Sequence, residues 1–511
     1  MTRTTVVATV LLLARSAARL PLYAYDAALA DAKAALTFPP ADKPLNSLHE
    51  SALLLAAKAE YGLRRFRESY QWVQKLITFY PSNDEGLDMV KLCIRRIVEQ
   101  EKGIYDWHGM LKEARSGKTD SVHADYVGPI EVRVCEDSRC GRGLFVTRDV
   151  EPGELLLVEK AFSAAFTEQG ERSEEVKKPD RATRGGANPK PEEKEEKAQD
   201  RIKALHDELV NKIFAKISSN PSLQPAFLDL YPGLNIDKKV DKPESLSEAV
   251  RSRLAYNGSA FPLLSIPSSN SATRFPIESF ARGLWIHASY MNHTCSPTVR
   301  RSFISDLMII RAQSHIRRDT EIRFDYIPCF KPVSQRRQLL SHYGFRCECE
   351  RCVSEADTPQ ADLEARQKLR SDLKKLMSAQ DGATHRVYDM MGMAVDRTYT
   401  NAPTVEPRLA VVRPLLSLID AVNVGGNPVK VVSLIVMLLT SLGFVLEWPD
   451  KGEQRFKFSR WGFLIEEVVL VMKELARAFG MLGQEGWRQG AEREAKKCHL
   501  IMRGEDTSWE V

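Results

Sequence analysis

Three cysteines fall within six residues in Cys347-Glu348-Cys349-Glu350-Arg351-Cys352. Thiolates at C-x-C-x-x-C spacing can converge on one ion, but a closed structural zinc site takes four ligands in a tetrahedron. The donor the sequence offers for the fourth place is Cys295, in Asn292-His293-Thr294-Cys295. Four thiolates leave no position for water or substrate, so such a metal would be structural and would staple a C-terminal tail against the Asn-His segment. Cys135 and Cys140 form a further C-x4-C pair, which reads as an unligated loop. The other residues with chemical potential are ambiguous singly. Gly141 and Gly143 in Cys140-Gly-Arg-Gly-Leu-Phe145 suit a tight turn but lack the third glycine of a dinucleotide fingerprint. His293 and Tyr326, each taken alone, read as packed core residues.

The chain that must position these groups has 511 residues, 43% apolar and 28% charged, as in ordinary globular proteins. Its length suggests two to four domains. A net charge of +5 from 73 basic and 68 acidic residues is too mild to argue for nucleic acid. Nine cysteines at irregular spacing argue for a reducing compartment rather than a secreted disulfide framework. The first thirty or so residues carry Arg3, Arg15 and Arg19 and no acid before Asp26, which leaves two readings: a targeting presequence, or a helix of a helical repeat. The apolar run Val431–Leu446 is shorter than the ~20 residues of a membrane span and reads as a buried helix.

Residues 1–120 read as a helical region. Ala57, Phe66, Ser69, Val73 and Pro81 fall where a tetratricopeptide repeat places small, aromatic and terminating residues, although Glu60 stands where an aromatic is usual. A generic helical hairpin bundle is the other reading, and either would offer a surface for a protein partner. The pattern changes near Val127. Gly128–Val134, Leu144–Thr147 and Glu154–Glu159 read as short strands with tight turns, and strand-like stretches return at Thr298–Phe303, Leu307–Ala312 and Glu321–Tyr326. Between them, Glu168–Arg201 is so charged that it reads as a disordered insertion. Helical periodicity marks Ile202–Leu230, Leu246–Tyr256 and Gln335–Tyr343. It returns after Ala361, best at Leu409–Val422, Val429–Val445 and Trp461–Phe479.

Order and spacing resolve the ambiguity of the single motifs. Gly283-Leu-Trp-Ile-His-Ala-Ser-Tyr-Met-Asn-His-Thr-Cys-Ser-Pro297, the Gly141–Gly143 turn, and Tyr326 followed by the cysteine cluster together resemble SET-domain protein lysine methyltransferases. Within that family the chain is similar to the SET-and-MYND group, without a MYND finger, and to fungal proteins joining tetratricopeptide repeats to a SET domain. The resemblance runs from Gly128 to Cys352 and implies an α+β fold. A β-rich, pseudoknotted SET domain at 127–330, interrupted at 168–201, would be followed by a post-SET zinc segment at 331–355. Tetratricopeptide-like helices would precede it, and a helical domain at 361–511 would follow and cover the substrate cleft.

The resemblance also implies roles. The backbone of Gly141, Arg142, Gly143 and Leu144 would lie along the methionine part of S-adenosylmethionine, Asn292 and His293 would contact its amino and adenine groups, and Phe345 would pack on the adenine. Tyr326 matches the catalytic tyrosine and cofactor neighbour, Tyr343 a wall of the lysine channel, and Cys295, Cys347, Cys349 and Cys352 the zinc ligands. The implied activity is methyl transfer to lysine in histone or non-histone proteins. The alternative is a catalytically weak or inactive scaffold of SET domain and tetratricopeptide repeats for protein–protein interaction. A monomer, cytoplasmic or nuclear, without membrane span or direct nucleic-acid contact, completes the expectation. A zinc-ribbon nucleic-acid binder is disfavoured, because no basic-aromatic patch adjoins the cysteines. The chain departs from the family at Thr298, where Asn is usual after the proline, and at Arg318-Asp-Thr-Glu321, where Gly-Glu-Glu-Leu is usual at the turn into the last strand.

Overall fold

The computed structural model describes residues 3–37, 47–136, 141–167, 191–233, 244–265, 280–378, 397–399, 407–424, 426–447 and 456–510. Along these residues the chain opens with helices α1 (Arg3–Arg19), α2 (Tyr25–Leu36), α3 (Ser47–Gly62), α4 (Phe66–Phe79), α5 (Asp84–Lys102) and α6 (Trp107–Arg115). Strands β1 (Tyr126–Val127), β2 (Ile130–Val134), β3 (Arg142–Val146), β4 (Leu155–Lys160) and β5 (Ser163–Ala165) follow. Then come α7 (Pro191–Ser219), α8 (Gln224–Leu228), α9 (Leu246–Asn257), β6 (Ser259–Pro262), β7 (Phe280–Leu284), β8 (Asn292–His293), β9 (Val299–Ile304), β10 (Leu307–Ala312) and β11 (Glu321–Phe324). The C-terminal part holds α10 (Val333–Leu340), α11 (Glu350–Asp357), α12 (Gln360–Ser378), α13 (Leu409–Val424), α14 (Pro428–Ser441), β12 (Val445–Glu447), β13 (Lys457–Arg460), α15 (Glu466–Met481) and α16 (Glu485–Arg503). Among the described residues no helix is long and apolar enough to cross a membrane.

The chain divides into two compact units, one of residues 1–128, 157–289 and 303–308, the other of 129–156, 290–302 and 309–511. Each unit draws on segments far apart in the chain, because strands pair with partners distant in sequence.

In the first unit, α1 to α5 pack as successive neighbours. Ala28, Ala32, Ala35, Ala52, Ala56 and Ala59 are buried along the seams of α1 to α3, and these small side chains let the helices approach closely. Arg15 and Arg19 grip the buried Asp31 across the α1–α2 seam, and the Ser16 hydroxyl donates to the Ala28 carbonyl at 2.8 Å. The segment that read either as a presequence or as a repeat helix is thus a packed helix here. In the α3–α4 hairpin Phe66 and Val73 are buried and Ser69 donates to the Ala57 carbonyl at 2.8 Å. Glu60, the departure from the repeat pattern, is buried between Lys33 and Arg65, each 3.5 Å away. Strands β5 and β6 flank β7 in an antiparallel sheet, and Phe261, Trp285 and Phe303 cluster against it. Of the insertion expected to be disordered, residues 168–190 lie outside the described residues, but from Pro191 the chain is helical. Proline at a first helical position followed by Glu, Lys, Ala and Gln is a strong helix start, and it outweighs the charge.

In the second unit the sheet order is β2-β3-β11-β8. The β2–β3 hairpin pairs Ile130 with Val146 through Val134 with Arg142, and Gly141 turns the chain into β3 with φ of +67°. Strand β11 runs antiparallel to β3, placing Glu321 opposite Phe145 and Ile322 opposite Leu144. On its other edge it runs parallel to β8, placing Arg323 opposite Asn292 and Phe324 opposite His293.

The C-terminal helices close over a core that includes Leu415, Leu438, Phe444, Phe456, Val468 and Leu475. One expected helix, Val429–Val445, stops at Ser441: Gly443 takes a left-handed turn with φ of +86°, and the chain leaves as β12. Strand β13 pairs with it, so the expected helix at Trp461–Phe479 begins only at Glu466. Arg311 of β10 ties this helical region to the sheet segments of the same unit. Arg311 is 8% exposed, and its guanidinium donates to the Gly504 carbonyl at 2.9 Å and the Gly153 carbonyl at 2.8 Å. Arg311→Met keeps a long stem but strands both buried carbonyls, so it should cost about 2–4 kcal/mol. Urea unfolding followed by tryptophan fluorescence should show that loss as a lower midpoint, and an unchanged midpoint would refute the anchor.

Candidate functional site

The second unit brings the sequence-picked residues together around β11. The strand sits between the Gly141–Gly143 turn on β3 and the Asn-His pair on β8, and the chain leaving it carries Tyr326. Parallel pairing of a two-residue strand is weak by itself. Here side chains reinforce it, beginning with His293, which is 6% exposed. The Tyr326 backbone N–H donates to its Nδ1 at 3.0 Å. That makes Nδ1 the acceptor, so in the neutral ring the proton sits on Nε2. Nε2 faces the Cys295 sulfur at 3.3 Å. Burial holds the imidazole down at about 4, so it is neutral near pH 7. One histidine thereby joins the backbone of Tyr326 to the cysteine cluster.

Around it lies an aromatic group. Tyr326 is 5.3 Å from the His293 ring centroid, 5.1 Å from Tyr343 and 6.4 Å from Phe345, and His293 lies 5.9 Å from Phe345. Phe345 is 36% exposed, leaving ring area open to a planar ligand. The Tyr326 hydroxyl donates to the Met291 carbonyl at 2.7 Å. With its proton so placed, the phenolic oxygen offers lone pairs to whatever else approaches it.

On the β3 side, Leu144 is 1% exposed, so its side chain belongs to the core and only its backbone could meet a ligand. Arg142 lies over the Tyr290 ring at 5.0 Å. The two glycines do different work. Nothing lies within 4 Å of a Cβ placed on Gly141, whose requirement is its positive φ. A Cβ on Gly143 would stand 2.5 Å from Oε1 of Glu321, so the missing side chain there makes room for a carboxylate. That carboxylate accepts from Asn292 Nδ2 at 2.7 Å and from Arg323 Nε at 2.6 Å. The Cys135 sulfur lies 3.7 Å from Oε1, while Cys140 is outside the described residues.

The sulfurs of Cys295, Cys347, Cys349 and Cys352 lie within 4.8 Å of one another. A zinc tetrahedron with ~2.3 Å bonds has sulfur–sulfur edges of about 3.8 Å, and the Cys295–Cys352 separation is 3.6 Å. Four sulfurs and no other donor fit structural zinc, with all positions filled by protein. Hydrogen bonding from Cys295 holds the Cys352 thiol down at about 6 and lowers Cys349, while Cys295 itself is raised by its contacts with Cys329 and the other thiols. A cation is what would let all four ionise together. Behind the sulfurs, fully buried Arg336 donates to the Cys352 sulfur at 3.2 Å and to Glu355 at 2.9 Å. Arg351 donates to Glu355 at 2.9 Å and to the Cys295 carbonyl at 3.4 Å. These cations offset the charge of a tetrathiolate site and orient its ligands.

Sequence reading missed Arg336, Arg351 and Glu355 as supports, Cys329 as a neighbouring fifth thiol, and Glu321 as anything but a departure from a turn motif. The i,i+4 spacing of Arg351 and Glu355 was the available clue for the first group, and the i,i+2 spacing of Glu321 and Arg323 on one strand face for the last. Nothing in the spacing of Cys329 marks it.

Metal loading should track these contacts. The wild type should carry about one zinc per chain, and Cys349→Ser should lose most of it with a clear drop in melting temperature. Because loading releases thiol protons, retention should fall as pH is lowered. Elemental analysis after dialysis reads both effects, and zinc retained by Cys349→Ser would contradict the four-ligand set.

Residues 141–327 match the SET domain family. A methyltransferase of Gibberella zeae is 27% identical over 484 residues, covering 90% of this chain and 64% of its own length. The protein-lysine N-methyltransferase SMYD4 of Homo sapiens is 40% identical over 83 residues, 15% of this chain and 10% of its own. The histone-lysine N-methyltransferase SET5 of Candida glabrata is 34% identical over 86 residues, 16% of this chain and 17% of its own. The chain thus spans just under two thirds of the Gibberella protein and small parts of the other two. Among solved structures, the SET domain of LSMT bound to lysine and AdoHcy aligns with 78% of this chain and 94% of its own at 12% identity, with a TM-score of 0.19, too loose for sites to be compared. The segment that matches the SET domain family contains the Gly141–Gly143 turn, Glu321, the Asn-His pair, Cys295 and Tyr326.

Proposed function

We propose that this protein transfers a methyl group from S-adenosylmethionine to the ε-amine of lysine in a protein substrate. The observation that carries the reading is the Tyr326 hydroxyl, fixed on the Met291 carbonyl inside the aromatic group of Tyr343, Phe345 and His293. The cofactor supplies an electrophilic methyl on a sulfonium. The backbone of Gly141 to Leu144, with Asn292, His293 and Phe345, would hold it, and Tyr326 would stand between it and the lysine.

Lysine attacks only as a free amine, and its ordinary pKa is about 10.4. Tyr326 and Tyr343, whose rings lie 5.1 Å apart, present apolar faces that would strip water from an inserted ammonium and favour loss of its proton. The Tyr326 oxygen is suited to orienting the amine and receiving weak C–H···O contacts rather than to taking a proton. Protein lysine is the substrate class that supplies a long apolar stem ending in one amine, and two of the relatives that match parts of this chain are named as lysine methyltransferases.

Incubation with methyl-labelled cofactor and a protein extract should label protein. Tyr326→Phe should lower turnover by roughly 10–100-fold while S-adenosylhomocysteine still binds. Mass spectrometry should place the label on lysine. A wild type that neither labels protein nor binds S-adenosylhomocysteine would sink the reading.

A further inference from the structure

Glu321 is a carboxylate whose side chain is 7% exposed, held at the centre of the candidate cofactor site. A buried carboxylate needs partners, and each oxygen has them: Oε1 accepts from Asn292 Nδ2 at 2.7 Å, and Oε2 accepts from Arg323 Nε at 2.6 Å and from its terminal nitrogen. It occupies the room that only glycine at 143 leaves.

The consequence falls on Asn292. An ionised carboxylate can only accept, so it selects which end of the asparagine amide faces it. Nδ2 also donates to the Arg142 carbonyl at 3.0 Å and approaches the Cys135 sulfur at 3.5 Å. Three acceptors therefore gather on the amide nitrogen, and Oδ1 is turned away from them. Among the described residues no donor meets Oδ1. A side-chain amide usually has two low-energy flips, and here one is excluded by charge. What remains is an open acceptor beside a negative charge, the complement of a small cation carrying N–H groups.

We propose that Glu321 is a positioning residue that locks the Asn292 amide with Oδ1 outward, so that it accepts from the α-ammonium of the cofactor's methionine half. This rests on the cofactor reading given above and adds the residue that selects the amino-acid end over the nucleoside end. Arg323 engages the second oxygen of Glu321 and draws it away from Asn292, leaving Oε1 for the amide. The parallel β8–β11 register supplies the alignment by setting Arg323 opposite Asn292.

The test compares two ligands by calorimetry: S-adenosylhomocysteine, which carries the amino-acid end, and 5′-methylthioadenosine, which lacks it. Glu321→Ala should weaken S-adenosylhomocysteine about tenfold or more, as expected for a charge-assisted hydrogen bond, and methylthioadenosine by less than about twofold. Because Glu321 acts through Asn292, adding Glu321→Ala to Asn292→Ala should bring little further loss. Melting curves identify a variant that fails to fold. In that case Glu321→Gln, which keeps the shape but must turn an amide N–H₂ toward Arg323 or Asn292, should show the same selective loss. Equal weakening of both ligands, or additive losses in the double variant, would overturn the positioning role while leaving the cofactor reading intact. A wild type that binds neither ligand would overturn both.

Discussion

Both ring nitrogens of His293 are committed, and the rest of the site depends on that. Nδ1 takes the Tyr326 backbone N–H and Nε2 faces the Cys295 sulfur. A neutral imidazole can accept on one side and donate on the other, and burial keeps it neutral. A lysine, which has no acceptor, and a phenyl ring, which has neither group, could not make both contacts. The geometry of Tyr326 is therefore coupled to the order of the cysteine cluster through one side chain rather than through diffuse packing. The tail bearing Tyr343 and Phe345 is coupled through the same cluster, since Cys347 follows Phe345 by two residues.

Electrostatics arranges the site in two layers. On the sulfur side, Arg336 and Arg351 share Glu355 beneath four thiols, which suits a dianionic metal–thiolate group. On the β3 side, Arg323 shares Glu321 with an asparagine amide, which leaves a negative, hydrogen-bond-accepting spot. Each layer pairs an acid with guanidinium groups, but the stoichiometry differs. Two arginines surround one acid beneath the thiols, and one arginine meets one acid beside Asn292. Neither pair is there chiefly for stability, because buried ion pairs return little net free energy against their desolvation.

The parts of this arrangement that were legible in the sequence are those in which chemistry limits the residue type. Three clustered cysteines and a single fourth upstream suit a metal, and Asn-His beside the single one with a tyrosine downstream narrows the family. The strands of the β2–β3 hairpin and β10 were legible because alternation and turns are local. Glu321 was not, because its meaning depends on Asn292 and Gly143, which come from separate segments, as well as on Arg323 of its own strand. The helical start at Pro191 was hidden by composition: the same Glu and Lys residues that argue for disorder are also good helix formers. The β12–β13 pair was hidden because its strands are short and the apolar run before it continues smoothly past Ser441. Gly443 was the clue, and a single glycine in an apolar run is weak evidence until its backbone angle is known.

The β3–β11 ladder joins residues 142–146 to 321–324, with most of the first unit lying between them in the chain. Closing so long a loop is entropically costly, but the cost rises only with the logarithm of length. Once the ladder tolerates a long excursion, adding tens of residues to it changes the closure term by a fraction of a kcal/mol. The charged stretch at 168–201 sits in that excursion. Evolution can therefore lengthen or rewrite it at almost no thermodynamic penalty to the ladder, whereas one residue inserted between Glu321 and Tyr326 would shift the register of every group in the site.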